Sequence, residues 1–449
     1  MRKSFKKVLL VHPEISHSKY NFDGIIENEP LELEYIFSVL KNESIDCEIF
    51  DVQREKISLI DKIKAYKPNI VYICGRIKQE NFMKTHITSI KKYNPNIKII
   101  VGGLHVQKNY DLFFMDEVDY ILTSFDVFKI INLIYDKNIK SLDGICYKKS
   151  NKWIINESKP FDINRLPHPD RTYFYKHLDH YRYLELFPCA QIRTSYCCAF
   201  HCNFCYRNLT NCGKYVYRDI EDVVDEIEEI DCENIYFIDD DFLLNPKRLE
   251  KMINLIKERN IKKKYVCFGR ADFIIHHKEL IKKLKDIGFY YILVGLEAIN
   301  DKHLDDYNKL TNVDLNKECI RFMNEIGINI MGMFIVDVDF DKSDFKNMYN
   351  WIKENNLKHV AISIFTPIRG TKVYEDYKDK LITSNPEHFD YLHVTFEPTK
   401  INVKKYYFYY YILLIKLFLL AKKQGVSDFI DYGYYIKSFI KNIFKKGNE

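Results

Sequence analysis

The sequence predicts an α/β protein: an N-terminal doubly wound parallel sheet, then an open, partial (β/α)6 barrel, then a helical C-terminal extension. Three observations predict it. Short apolar runs alternate with amphipathic stretches over residues 7–135 and again from Ala190, the pattern of parallel strands joined by crossover helices. The 449 residues are too many for one ordinary core. Near the C-terminus the alternation stops, and an apolar, tyrosine-rich stretch takes over. The expected divisions are a Rossmann-like domain at 1–135, a linker at 136–189, a barrel at 190–395 and a helical extension at 396–449.

In the first unit, VLLVH (8–12), CEIFDV, NIVYIC, IKIIVGG and VDYIL read as strands. LELEYIFSVLKNE (31–43), ISLIDKIKAYK and HITSIKKYN read as helices between them. Ligands of doubly wound sheets sit beyond the carboxyl ends of the strands. Those ends carry His12–Pro13, Cys74–Gly75 and Gly102–Gly103–Leu104–His105. No G-x-G-x-x-G follows the first strand, which argues against a dinucleotide site.

The linker contains LPHPDR (166–171), whose two prolines suit an extended surface segment. Strand-like AQIRTSY, IYFIDDDF, YVCFGRADF, YYILVGLEA, INIMGMFIV and HVAISIFTP follow, with amphipathic stretches between them. An active site of such a barrel lies at the strand C-termini. KKYYFYYYILLIKLFLLAKK (404–423) is short for a membrane span and is interrupted by Lys416. It reads as a helix packed on the barrel or one lying in a membrane interface. The basic tail YIKSFIKNIFKKGNE is compatible with either.

At 47 % hydrophobic and 29 % charged the chain has a folded, globular composition. Its net charge of +5 is spread over 68 basic and 63 acidic side chains, giving no whole-chain case for nucleic acid. The N-terminal MRKSFKKVLLVHPE has too short an apolar run for a signal peptide and reads as the first strand of a cytoplasmic protein. Twelve cysteines without an export signal argue for thiol or metal chemistry rather than disulfides. Four of them, Cys197, Cys198, Cys202 and Cys205, fall within nine residues. In CAFHCNFC the C-x3-C-x2-C spacing suits three ligands of a 4Fe–4S cluster. A zinc site would want a second C-x2-C or a histidine pair downstream, and crowding of buried cysteines is the bland alternative.

TSYCCAFHCNFC resembles the cluster loop of the radical S-adenosylmethionine (SAM) superfamily. Further motifs resemble the branch with an N-terminal cobalamin-binding domain: LPHPDR its linker, IYFIDDDF its second-strand acidic motif, GRADF its third-strand arginine, VGLEA its fourth-strand glutamate and FTPIRGT its sixth-strand turn. The resemblance covers about residues 5–400.

The resemblance implies that Cys198, Cys202 and Cys205 ligate three irons and SAM the fourth. Phe204 would lie near the adenine, and Asp239, Asp240 and Asp241 would accept hydrogen bonds from the SAM ammonium. Arg270 would pair with the SAM carboxylate, and Glu297 would bind a ribose hydroxyl or the ammonium. An ordinary buried ion pair is the plain alternative for Arg270 and Glu297. Cobalamin would sit near Gly102 and Gly103. Reductive cleavage of SAM yields a 5′-deoxyadenosyl radical, and C-methylation of an unactivated carbon is the leading outcome. Cobalamin-independent cyclisation, epimerisation, coupling or oxidation with a vestigial N-terminal domain is the alternative. The implied partners are a small-molecule or lipid-like substrate and a one-electron donor such as flavodoxin or ferredoxin. Peripheral membrane contact would run through the C-terminal helix. Three departures stand out: Asp337 where the fifth-strand motif ends in Gly, Arg369 where the sixth-strand turn has Pro, and TSFD (123–126) where the family has a Gly-Glu turn.

Overall fold

Four consecutive apolar residues, Val8–Val11, are fully buried in strand β1 (Lys7–His12), and all of β3 (Ile70–Cys74) is buried. Strands covered on both faces read as continuous apolar runs, and such strands form the middle of parallel sheets. The structure, a computed structural model, describes residues 6–15 and 25–426. With β2 (Asp46–Asp51), β4 (Lys98–Gly102) and β5 (Tyr120–Leu122), β1 and β3 make a parallel sheet in the order β2-β1-β3-β4-β5. Helices α1 (Leu31–Asn42), α2 (Leu59–Tyr66) and α3 (Glu80–Tyr93) are its crossovers.

The expected linker departs from the sequence reading. Strands β6 (Ile145–Lys149) and β7 (Lys152–Asn156) join the edge of this sheet antiparallel, so the first unit runs about twenty residues beyond position 135. Ser150 and Asn151 join them with φ of 50° and 59°, the two left-handed residues that a tight two-residue hairpin requires.

The second sheet is parallel throughout and sequential: β8 (Cys189–Ile192), β9 (Asn234–Phe237), β10 (Lys264–Gly269), β11 (Phe289–Glu297), β12 (Asn329–Val336) and β13 (His359–Ile364). Its outer layer is α4 (Ile220–Glu229), α5 (Pro246–Glu258), α6 (Lys278–Asp286), α7 (Val313–Ile326) and α8 (Lys342–Glu354). This is the open, six-stranded barrel expected. The C-terminal stretch forms one helix, α9 (Val403–Lys423), that packs on the barrel through Tyr406, Tyr410 and Leu413. The Tyr406 hydroxyl donates to the Val336 and Asp337 carbonyls, and that of Tyr410 to Ile362. Buried phenols need such acceptors. No described helix is long and apolar enough to cross a membrane. The tail from Val426 onward, with its basic amphipathic segment, lies outside the described residues apart from Val426 itself.

LPHPDR works through its arginine. Arg171, 7 % exposed, donates to Glu226 at 2.7 Å and to the Gln191 carbonyl at 2.6 Å. Fully buried Arg218 takes the other Glu226 oxygen. Glu29, leading into α1, accepts from the Gln191 N–H and lies 3.8 Å from Arg171. Burial first, then the facing Glu29 carboxylate, hold Glu34 well above the usual carboxylate range. One buried charge network therefore joins the first unit, the linker and the barrel.

The two sheets also meet at their C-terminal strand ends. Past β5, the Phe125 ring stacks on Tyr196 at 4.0 Å. Past β4, Asp111 takes both terminal nitrogens of Arg369, which lies past β13, at 3.2 and 2.8 Å. Asn81 donates to Asn385 and Glu387. Two family departures are thereby explained. Arg369 is half of a cross-domain ion pair, and the TSFD turn supplies a cross-domain ring.

Candidate active site

The cysteine loop leaves the barrel where the first barrel strand breaks. AQIRTSY is not one strand: β8 stops at Ile192, and Ser195–Tyr196 pairs instead with Val216–Tyr217. The cause is Asp239, past β9, whose carboxylate accepts the Thr194 N–H at 2.7 Å, the Ser195 N–H at 2.9 Å and the Thr194 hydroxyl. Residues 197–215 thus form a loop closed by a small antiparallel pair, set on the barrel mouth.

Cys198, Cys202 and Cys205 lie in this loop, none fully sealed from solvent. Burial pushes the Cys198 thiol up to about 12 and that of Cys205 to about 11. Cys205 is within electrostatic reach of both other thiols. Cys197 stands apart: its φ is 69° and its thiol contacts the Asn208 carbonyl at 3.4 Å. Among the described residues no three thiol, imidazole or carboxyl groups converge as one metal ion would require. A four-iron cluster takes its cysteines on separate irons.

The acidic run divides into three roles. Asp239 anchors the loop, so its oxygens are already engaged and do not face a ligand as expected. Asp240 pairs with Arg207 at 3.0 Å. Asp241 is 3 % exposed, and neither of its oxygens has a well-formed hydrogen bond among the described residues, though the Leu243 N–H approaches it. Burial pushes its carboxyl up to about 7 against the charges of Arg270 and Lys309. An orphaned buried carboxylate is costly and calls for a missing partner.

Arg270 follows β10. Its guanidinium lies 3.7 Å from the centre of the Phe200 ring, inside the cysteine loop. It pairs with Asp272 at 2.9 Å and donates to the Lys309 carbonyl at 2.8 Å. Glu297 ends β11 at a register shift with φ of 60° and binds Lys309 at 2.8 Å. A Cβ on Gly295 would stand 2.2 Å from the Glu297 carboxylate, so glycine there makes room for this pair. Arg270 and Glu297 do not pair with each other. Phe204 meets Tyr307 edge-on at 5.3 Å, and the Tyr307 hydroxyl donates to Asp337. That contact accounts for the third family departure.

Lys309, Asp272 and Tyr307 are site residues that sequence reading missed. Lys309 sits in a polar run twelve residues past Glu297, and nothing in its spacing marks it.

On the first unit, glycine serves internal packing. A Cβ on Gly102 would stand 2.2 Å from the Tyr72 hydroxyl. Gly103, with φ of 99°, lies against Cys74 and the Gly75 backbone. His105 is engaged by Glu80 at 2.8 Å, and His12 lies 3.3 Å from Asp51 and from Gln79. Arg76, past β3, is exposed, yet lost solvation and the facing Arg207 and Arg193 lower its pKa, against Tyr206 and Tyr236. Glu32 of α1 is pushed up to about 6 by burial, against Arg193, Arg76 and His12. Side chains from both units thus face one another across the seam beside the cysteine loop.

Residues 192–352 match the model of the radical SAM superfamily, and residues 27–126 match that of the B12 binding domain. The chain joins a B12-binding domain to a radical SAM domain. It is 27 % identical to the hopanoid C-3 methylase of Methylococcus capsulatus, over 53 % of this chain and 44 % of that protein. It is 23 % identical to an uncharacterized methyltransferase of Pyrococcus horikoshii, over 98 % of both. The bacteriochlorophyllide d C-12(1)-methyltransferase of Chlorobaculum tepidum is 23 % identical over 90 % of this chain and 85 % of that one. The solved structure of the cobalamin-dependent SAM radical enzyme OxsB, with aqua-cobalamin and SAM bound, superposes with a TM-score of 0.67 at 18 % identity. That match covers 94 % of this chain and 62 % of OxsB, and it shares the fold.

The radical SAM domain implies a 4Fe–4S cluster and SAM, and the residues present fit both. Three thiols stand in the ligand spacing, and a buried carboxylate without a partner lies near an arginine beside them. The B12-binding domain implies cobalamin. At the seam Arg76, Arg193 and Arg207 would be the donors for a corrin's amide side chains, while His12 and His105 are both engaged elsewhere.

Proposed function

We propose that this protein is a cobalamin-dependent radical SAM methylase acting on an unactivated carbon of a small, apolar molecule. The observation that carries the reading is the seam: the C-terminal strand ends of the B12-binding domain meet those of the barrel beside the cysteine loop. The three curated relatives above are all named as methylases or methyltransferases, which supports the choice of outcome. When bound, the cluster and SAM supply a radical able to take hydrogen from carbon, and cobalamin supplies a transferable methyl group.

The chain's own residues have separable tasks. Cys198, Cys202 and Cys205 hold the irons, and the raised pKa values of the Cys198 and Cys205 thiols mean that metal must stabilise those thiolates. Asp241 receives the SAM ammonium, satisfying its orphaned oxygens. Arg270 turns toward the SAM carboxylate while Asp272 fixes its plane. Glu297, oriented by Lys309, reaches a ribose hydroxyl, and Phe204 flanks the adenine. Asp239 and Asp240 act one step back, by fixing the loop and Arg207. Arg76 and Arg193 line the cobalamin side. A flavodoxin- or ferredoxin-type protein supplies electrons, and the C-terminal helix makes peripheral membrane contact.

The alternative reading keeps the first domain for shape while the barrel performs cobalamin-independent radical chemistry. Anaerobic purification separates the two. The methylase reading expects cobalamin to be taken up, and S-adenosylhomocysteine and 5′-deoxyadenosine to form in equal amounts. Substrate turnover without cobalamin uptake would exclude it.

A further inference from the structure

Packing on the barrel and lying in a membrane interface are alternatives in the sequence; in the structure they are two faces of one helix. The inward face of α9 is Tyr406, Tyr410 and Leu413, all buried. The outward face carries Phe408, Ile415 and Leu419, which are 59 %, 50 % and 58 % exposed. Spacings of seven and four residues put these three on one line, with half-buried Ile412 between them. At the rise of an α-helix the line runs about 16 Å. Such a row of large apolar side chains in water is unfavourable unless something covers it.

The charges indicate what covers it. Lys404 and Lys405 stand at one end of the row, Lys422 and Lys423 at the other, and Lys416 beside it; all five are exposed. The twenty-one residues of α9 include no Asp or Glu. Past its end, Lys342 and Lys346 of α8 share a surface hollow of about 400 Å³ with Lys405. The acids nearby are occupied: Asp341 caps α8, and Asp344 pairs with Lys400 at 3.3 Å. A second copy of this face would bring lysine pairs onto lysine pairs in either orientation. A bilayer carrying anionic headgroups answers both features, taking the apolar row among its acyl chains and the lysines at its phosphates.

We infer that the outer face of α9 docks the protein on anionic phospholipid membranes, with the helix lying flat and the barrel above it. This rests on the peripheral contact included in the reading above, and it is independent of methyl transfer. The buried area is small, so docking is reversible.

Flotation of the full-length protein with vesicles tests it. Vesicles of equal phosphatidylcholine and phosphatidylglycerol should carry the protein up, and phosphatidylcholine alone should not. Lys404→Gln with Lys405→Gln should lower partitioning tenfold or more, at roughly fivefold per lysine. Phe408→Ser with Leu419→Ser should lower it comparably. Both double variants should keep iron content and 5′-deoxyadenosine formation, which shows that they fold and that membrane docking is separate from the chemistry. Equal binding to neutral vesicles would overturn the inference, as would binding unchanged by both variants. A soluble dimer broken by the Phe408 and Leu419 changes would assign the face to a second copy instead. If flotation fails while methyl transfer is observed, the membrane contact falls and the proposed chemistry stands.

Discussion

Asp241 in the ligand-free protein ionises only near pH 7, because burial outweighs the two cations near it. Its native pKa lies above the value of an unfolded chain, so ionising it costs the fold stability as pH rises toward 7. SAM, bringing an ammonium, needs the ionised form. Affinity for SAM should therefore fall as pH drops below about 7, by up to tenfold per unit. Equilibrium dialysis of anaerobically reconstituted protein across this range would show it, and Asp241→Asn should be weak and pH-insensitive. A flat profile in the natural protein would remove Asp241 from the SAM site. Cys197 provides a second residue-level test. That thiol contacts the Asn208 carbonyl rather than the other three thiols' shared environment. Cys202→Ala should abolish SAM cleavage and lower iron content, whereas Cys197→Ala should keep much of both. Full activity in Cys202→Ala contradicts the cluster assignment. The cysteine spacing made this assignment legible in the sequence. The division of labour among Asp239, Asp240 and Asp241 was not, because three adjacent aspartates look alike until the chain's bend at Thr194 gives one of them three donors.

Strands and helices were largely legible because the buried parallel strands read as short apolar runs and the helices between them as amphipathic stretches, and the barrel's six strands fall where that succession puts them. The boundary at residue 135 was misplaced for a physical reason. ICYKK and KWIIN are short, lysine-bearing antiparallel strands at the margin of the sheet, mostly half-buried or exposed, so they lack the long apolar run that marks a parallel strand. Only the Ser150–Asn151 turn announces them. LPHPDR was legible as an extended segment, but its partners lie 55 residues onward at Glu226 and 142 back at Glu29, beyond what local spacing reveals. The network makes a strong prediction for this element. Arg171→Met leaves buried Glu226 with one guanidinium in place of two, so the loss should stay below the roughly 3–5 kcal/mol of a buried charge left with no partner. Chemical denaturation should show a lower midpoint, with Glu226→Gln also destabilising. A change within about 0.5 kcal/mol would mean that water reaches Glu226 once Arg171 is gone.

At the scale of the whole molecule the two units are held strand end to strand end, and the seam between them is where both cofactors of the proposed reaction would meet. Their separation depends on docking contacts that perform no chemistry. Of these, Phe125 on Tyr196 is the closest to the cysteine loop, because Tyr196 directly precedes Cys197. A stacked aromatic pair contributes about 0.5–1.5 kcal/mol beyond its buried area, enough to loosen the seam without unfolding either sheet. Phe125→Ala should therefore keep the cluster, SAM binding and 5′-deoxyadenosine formation, since those residues belong to the barrel. Methyl transfer, which needs both halves at a fixed distance, should fall further. In the unaltered protein S-adenosylhomocysteine and 5′-deoxyadenosine should appear one to one; in Phe125→Ala the ratio should shift toward 5′-deoxyadenosine. Asp111→Ala, which frees Arg369 at another point of the same seam, should shift it in the same direction by a smaller amount, because that ion pair is exposed. An unchanged one-to-one ratio in both variants would mean that the buried network around Arg171 alone sets the spacing, and combining either variant with Arg171→Met should then produce the uncoupling.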